Sequence, residues 1–475
     1  MFDIGAYDKR STIERSSVVI MGLLLAVLAV SCAGSSGIPV TTQEAEPAST
    51  LATIEVEPVS ALIDEVVSIQ LSGLAPGQNV TVQARTRFHT SYVWESYATF
   101  MADENGFVDV SAQQPLTGTY ETADPMGLFW SMIPPRGEDA TSFGDGLDPV
   151  VIDLIVEVDG KTAVSAQLER LFVAPEVTRV PVRENGLVGT LFLPGDSGPY
   201  PAVIVLGGSD GGLHEEGAAL LASHGYAALA LAYFHAETLP SALINIPLEY
   251  FETAINWLQS HDRVDGKRLG IMGTSRGGEL ALLVAATFPG IRAVVGYVPS
   301  GVVWGGMSRY GRAAWTYQGT PVPYVPIIPT AEFMQDQMKR SRKAPMAYTP
   351  VFLANLENTA AVEKAIIAVE NINGPVLLIS GQDDQIWPST LMSEMVIDRL
   401  AQHNHPYPYE HLSYEGVGHF IGAPYFPTTL TQGKHPLTRE LMAFGGNAKD
   451  NAFAQADSWT RVLDFLKESL TSVDF

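Results

Sequence analysis

A serine, an acid and a histidine stand in that order along the chain, each at the carboxyl end of an apolar run. Ser275 lies in Leu269-Gly270-Ile271-Met272-Gly273-Thr274-Ser275-Arg276-Gly277-Gly278-Glu279, and the helical pattern Leu280 to Ala286 follows. A strand, a G-x-S-x-G turn and a helix make a nucleophile elbow. The turn strains the serine backbone, flanking glycines remove the side chains that would collide, and the hydroxyl stands clear of the sheet. Val376 to Gly381 reads as a buried strand running into Gln382-Asp383-Asp384. An acid there orients an imidazole and stabilises its protonated form, and both Asp383 and Asp384 are placed to do so. His419 follows the strand candidate Pro408 to Tyr414, in Glu415-Gly416-Val417-Gly418-His419-Phe420. It is the expected general base, taking the serine proton and returning it to the leaving group.

Acyl transfer also needs donors for the oxyanion. The backbone N–H of Arg276, next to the nucleophile, is the expected first donor. The strand candidate Pro201 to Leu206 opens into Gly207-Gly208-Ser209-Asp210-Gly211-Gly212. Ser209 or Gly208 is the expected second donor, since glycines let the backbone come close to an intermediate. This loop is not G-x-G-x-x-G, and neither a dinucleotide nor any other cofactor or metal is expected.

The positioning elements read as two domains. From Glu176 to the end, apolar strands alternate with helical stretches: Gly189–Pro194, Pro201–Leu206, Glu216–His224 (helix), Tyr226–Leu231, Tyr250–Gln259 (helix), Ile291–Val298 and a last helix, Trp459–Leu470. That alternation implies a mostly parallel sheet flanked by helices. The order Ser, acid, His is that of an α/β-hydrolase. Residues 301–370 interrupt the alternation with Trp304, Trp315, Tyr317, Tyr324, Met334 and Met338, and are expected to form a cap or pocket wall. Residues 51–175 carry short alternating runs such as Val66–Leu71, Val80–Ala84 and Val150–Val158, separated by turn signals. They predict a β-sandwich.

With 475 residues, 46% of them hydrophobic, the chain can build sizeable cores. Its formal net charge of −24 argues against a nucleic-acid partner. The basic run Lys339-Arg340-Ser341-Arg342-Lys343 is read as a solvated helix face. The single cysteine, Cys32, follows a basic flank (Arg10, Arg15) and the apolar run Val18 to Val30. Residues 1–32 thus read as a secretory signal ending in a lipobox-like cysteine, with 33–50 as a tether. The expectation is a membrane-anchored lipoprotein of the cell envelope, or a cytoplasmic protein should the leader not act as a signal.

Longer stretches resemble the type I acyl-CoA thioesterase and bile acid-CoA:amino acid N-acyltransferase family. These include Asp124-Pro125-Met126-Gly127-Leu128-Phe129-Trp130-Ser131-Met132, Ser275-Arg276-Gly277-Gly278-Glu279, Gly381-Gln382-Asp383-Asp384-Gln385-Ile386-Trp387 and Gly418-His419-Phe420-Ile421-Gly422-Ala423-Pro424-Tyr425-Phe426-Pro427. The resemblance implies an immunoglobulin-like domain before the α/β-hydrolase domain, and attack on an acyl thioester through an acyl-enzyme. It carries the triad onto Ser275, Asp384 and His419. Acyltransferase members tend to use cysteine as nucleophile, so Ser275 favours hydrolysis. An envelope esterase or amidase, an acyltransferase with the same triad, and a non-catalytic binding lipoprotein are the alternatives.

Overall fold

The computed structural model describes residues 51–89, 92–134, 146–195, 197–307, 311–340 and 344–471. The leader with Cys32, the tether 33–50 and residues 341–343 of the basic run lie outside them. Eight strands form the central sheet: β1 (Thr178–Val182), β2 (Val188–Leu193), β3 (Tyr200–Leu206), β4 (Ala227–Ala232), β5 (Val264–Thr274), β6 (Ala293–Tyr297), β7 (Val376–Gly381) and β8 (Tyr409–Tyr414). Their spatial order is β1-β2-β4-β3-β5-β6-β7-β8. β2 is antiparallel to its neighbours, and every pairing from β4 to β8 is parallel. This is the α/β-hydrolase architecture expected from the alternation.

The strands read as unbroken apolar runs because both sheet faces are covered. Val203, Val205, Ala228, Ala230, Val295 and Ile379 point into one core. Their neighbours Ile204, Leu206, Leu229, Leu231, Val294 and Leu378 point into the other. The second core is closed by α2 (Glu249–Gln259), α3 (Arg276–Thr287) and α4 (Ser389–Gln402). On the first face lie α1 (Glu216–Ser223) and α5 (Ala448–Thr471), through Leu220, Leu221, Val462 and Leu466.

Residues from Thr53 to Leu171 form two further sheets. One has three strands, with Ser68–Ser72 between Thr53–Glu57 and Val108–Asp109; the other has six, with Asn79–Thr86 and Val150–Val158 at its centre. Both contribute to the same apolar core as α1 and α5. The Asp124–Met132 stretch takes part in this contact. The Trp130 indole donates to Asp124 Oδ2 at 2.8 Å, and Trp130 O accepts from Thr428 N at 3.0 Å. Phe426 packs on Phe88 and Phe172. These contacts prop the chain that follows His419.

A second contact ties Asp64 to the hydrolase. Asp64 Oδ2 accepts from the Trp459 indole at 2.7 Å and from His224 Nε2 at 2.5 Å. The Asp64 hydrogen bond raises the His224 pKa, with burial opposing it. A pKa raised in the folded state contributes stability that is fully present below the unfolded value and lost as pH rises through the folded one. The difference in thermal midpoint between wild type and His224→Ala should therefore be largest below about pH 6.5 and shrink at higher pH. A gap that stays flat from acid to alkaline pH would contradict this.

Candidate active site

β5 ends at Thr274 and α3 begins at Arg276, leaving Ser275 alone in the turn at φ 58°, ψ −121°. A side-chain-bearing residue rarely adopts such angles, and the surrounding bonds hold it there. Ser275 N donates to Tyr297 O at 2.8 Å, and Ser275 O accepts from Gly278 N and Glu279 N at 2.9 and 3.1 Å. The flanking glycines are required by close approach. A Cβ at Gly273 would lie 2.0 Å from Gly277 O, and one at Gly277 would lie 2.3 Å from Gly207 O.

Asp384 stands just past β7 and is buried. Its Oδ1 accepts from Ile386 N and Trp387 N at 2.9 and 3.2 Å. Its Oδ2 accepts from Ser389 Oγ at 2.6 Å and lies 2.8 Å from His419 Nδ1. A carboxylate only accepts, so Nδ1 carries the imidazole hydrogen and Nε2 presents a lone pair. That Nε2 is 3.0 Å from Ser275 Oγ. Asp383 points elsewhere, accepting from Gly446 N at 2.8 Å and Gln385 Nε2 at 2.6 Å. The structure thus brings Ser275, His419 and Asp384 together and leaves Asp383 as a loop clamp.

The Gly207–Gly212 loop runs beside the elbow, where a Cβ on Gly208 would sit 3.5 Å from Ser275 Cβ. The buried Tyr233 hydroxyl is 2.8 Å from Gly207 O and 3.1 Å from Gly208 O. In a trans peptide the N–H points opposite the carbonyl, so the amides of Gly208 and Ser209 are directed away from Tyr233. The amide of Arg276 opens α3, where the first N–H groups have no intrahelical partner and carry the positive end of the dipole.

Arg276 contributes more than its backbone N–H. Its side chain is buried, with Nη1 3.0 Å from Glu279 Oε2 and Nη2 donating to Trp304 O at 3.1 Å. The Trp315 indole donates to Glu279 Oε1 at 2.9 Å. Burial pushes the Glu279 carboxyl up to about 7, with Arg276 opposing. The pair therefore joins the elbow helix to Trp304 and Trp315, which lie between β6 and β7. The i, i+3 spacing of opposite charges on a predicted helix was the available signal. Met334 and Met338, further along the same stretch, are exposed. No group of three or more His, Cys, Asp or Glu among the described residues is arranged to hold a metal.

Fold and site together define an enzyme of the α/β-hydrolase class, and residues 187–304 also match the dienelactone hydrolase family. The chain belongs to the acyl-CoA thioester hydrolase/BAAT family: the family's N-terminal region matches residues 64–184 and its C-terminal region residues 246–472. Acyl-coenzyme A thioesterase 1 of Mus musculus is 35% identical over 89% of this chain and 97% of its own length. The mitochondrial acyl-coenzyme A thioesterase 2 of Mus musculus is 35% identical over 90% of this chain and 91% of its own. The peroxisomal succinyl-coenzyme A thioesterase of Mus musculus is 34% identical, over 89% and 97%.

These relatives correct the expectation of an envelope lipoprotein, because two of them carry the names of a mitochondrial and a peroxisomal enzyme. The physical reason lies in the signal itself. A basic flank and a short apolar run are compositional features, and composition alone does not fix the compartment. Among the described residues no helix is long and apolar enough to cross a membrane.

Proposed function

We propose that the chain hydrolyses acyl thioesters, with coenzyme A esters as the substrate class, through a covalent acyl-Ser275 intermediate. The observation that carries this is the unbroken hydrogen-bonded line from Asp384 through His419 to Ser275, at 2.8 and 3.0 Å. His419 Nε2 takes the hydroxyl proton as Ser275 Oγ attacks the thioester carbon. The N–H groups of Arg276 and of Ser209 or Gly208 hold the oxyanion. Collapse breaks the C–S bond, and the proton on His419 passes to the departing thiolate. Water, deprotonated by the same imidazole, then attacks the acyl ester; the acyl C–O bond to Ser275 breaks, the proton on His419 returns to Oγ, and the acid is freed. Asp384 keeps the imidazole in the one tautomer that can do this.

Coenzyme A esters are favoured because the relatives named above are acyl- and succinyl-coenzyme A thioesterases matched along nearly their whole lengths. We read residues 51–175 as an immunoglobulin-like sandwich that supports the base loop through Trp130 and Phe426. We read 176–475 as the catalytic domain, its insertion at about 301–370 walling the acyl site. Thiol release from a panel of acyl-CoA chain lengths, set against p-nitrophenyl esters, tests the substrate class. Thiol release from some members of the CoA panel is expected. Turnover of simple esters with every CoA thioester untouched would replace this reading with a plain esterase.

A further inference from the structure

One strap of chain touches the base loop, the acid loop and the loop after β3. It comprises the hairpin Gln432–Lys434 with Leu441–Ala443 and the residues just beyond. Phe444 O accepts from His419 N at 2.8 Å and Gln385 N at 3.3 Å, and Gly446 N donates to Asp383. Leu441 O and Ala443 N pair with the backbone of Met346, in the segment leading to the acid loop's partner Thr349. At its turn the strap carries His435 across to the loop after β3, where Nε2 lies 3.2 Å from Ser209 Oγ.

The tautomer of His435 follows from its partners. Nδ1 is 3.2 Å from Leu437 N and 3.3 Å from Thr438 N, both of which can only donate. Nδ1 is therefore the bare acceptor and Nε2 carries the hydrogen. That hydrogen is donated to Ser209 Oγ. Burial lowers the His435 pKa, in keeping with a neutral ring. The loop so gripped needs fastening. Four of the six residues from Gly207 to Gly212 are glycine, two of them at positive φ, and such a chain loses much conformational freedom when ordered.

We propose that His435 is a positioning residue for this reaction: it holds the Ser209 hydroxyl so that the amides of Gly208 and Ser209 stay aimed at the oxyanion. The inference rests on the reading of Ser275 as nucleophile. It differs from a packing role in what it moves. Misaligned oxyanion donors weaken the transition state and spare ground-state binding, so kcat falls and KM does not.

The test uses the full chain and the CoA ester it turns over. Removing a whole oxyanion donor costs roughly 10²- to 10³-fold in kcat, and loosening one should cost about 10- to 100-fold. His435→Ala and Ser209→Ala should each show that loss with KM changed less than about threefold. His435→Gln, which keeps a side-chain donor, should recover most of it. Since His435 acts through Ser209, the double variant should fall no further than either single one. Wild-type kcat in His435→Ala, or losses that multiply in the double variant, would overturn the inference. Should His435→Ala melt below the assay temperature, Ser209→Ala decides, and wild-type kcat there overturns it. Ser275→Ala separates the two levels. If it retains turnover, the nucleophile reading fails and takes this inference with it. If it is inactive while His435→Ala is fully active, only the role of His435 fails.

Discussion

Ser275→Ala is expected to lower turnover by on the order of 10³-fold or more with the fold intact. Ser275 is nine-tenths buried, and its strained backbone is held by Tyr297 O, Gly278 N and Glu279 N, none of which touches the hydroxyl. Removing Oγ deletes its hydrogen bond to His419 Nε2 and leaves those backbone bonds in place. The residual rate should be that of donors and binding acting without a nucleophile. Steady-state thiol release together with a thermal melt checks both halves. A folded variant with wild-type turnover would remove Ser275 from the mechanism.

Asp384→Asn should cost on the order of 10³- to 10⁴-fold in kcat, and Asp383→Asn less than about tenfold. Asp384 receives four donors, from Ile386, Trp387, Ser389 and His419. An asparagine can keep the two backbone donors on its oxygen. Its NH₂ then faces the Ser389 hydroxyl and the imidazole, where two acceptors would be needed. His419 answers by moving its hydrogen to Nε2, and the lone pair that should take the Ser275 proton is gone. Asp383 is exposed and makes its bonds to Gly446 and Gln385, where an amide oxygen substitutes for much of the carboxylate. Equal effects, or the reverse ranking, would show that the acid has been misassigned.

The parts of the molecule legible in the sequence are those fixed by local rules. β3, β7 and β8 lie within one residue of where their apolar runs end, and the elbow is encoded by glycines whose absent side chains leave room for backbone. The strand Lys161–Leu171 is weakly marked in the sequence: Val164, Ala166, Leu168 and Arg170 alternate inward, but one of them is small and one is charged, so the apolar half of the pattern is faint. β1 was missed as an edge strand containing Pro181, a residue that weakens any strand pattern. α5 begins at Ala448, ten residues or more before its apolar signal at Trp459, because its first half buries Asn451, Gln455 and Ser458. The residues around the site that escaped notice depend on distant partners. His435 meets Ser209 across 226 positions of sequence, and Arg276 and Glu279 acquire meaning through Trp304 and Trp315. No spacing rule reports such contacts.

The most direct measurement of the central claim is covalent capture of the nucleophile. Purified chain is treated with a fluorophosphonate, residual thioesterase activity is followed, and the protein is digested and mapped by mass. The account predicts one equivalent of label on the peptide containing Ser275, loss of activity in proportion to labelling, and no label in Ser275→Ala. Activity that survives complete labelling of Ser275, or inactivation with the label on another residue, would contradict it.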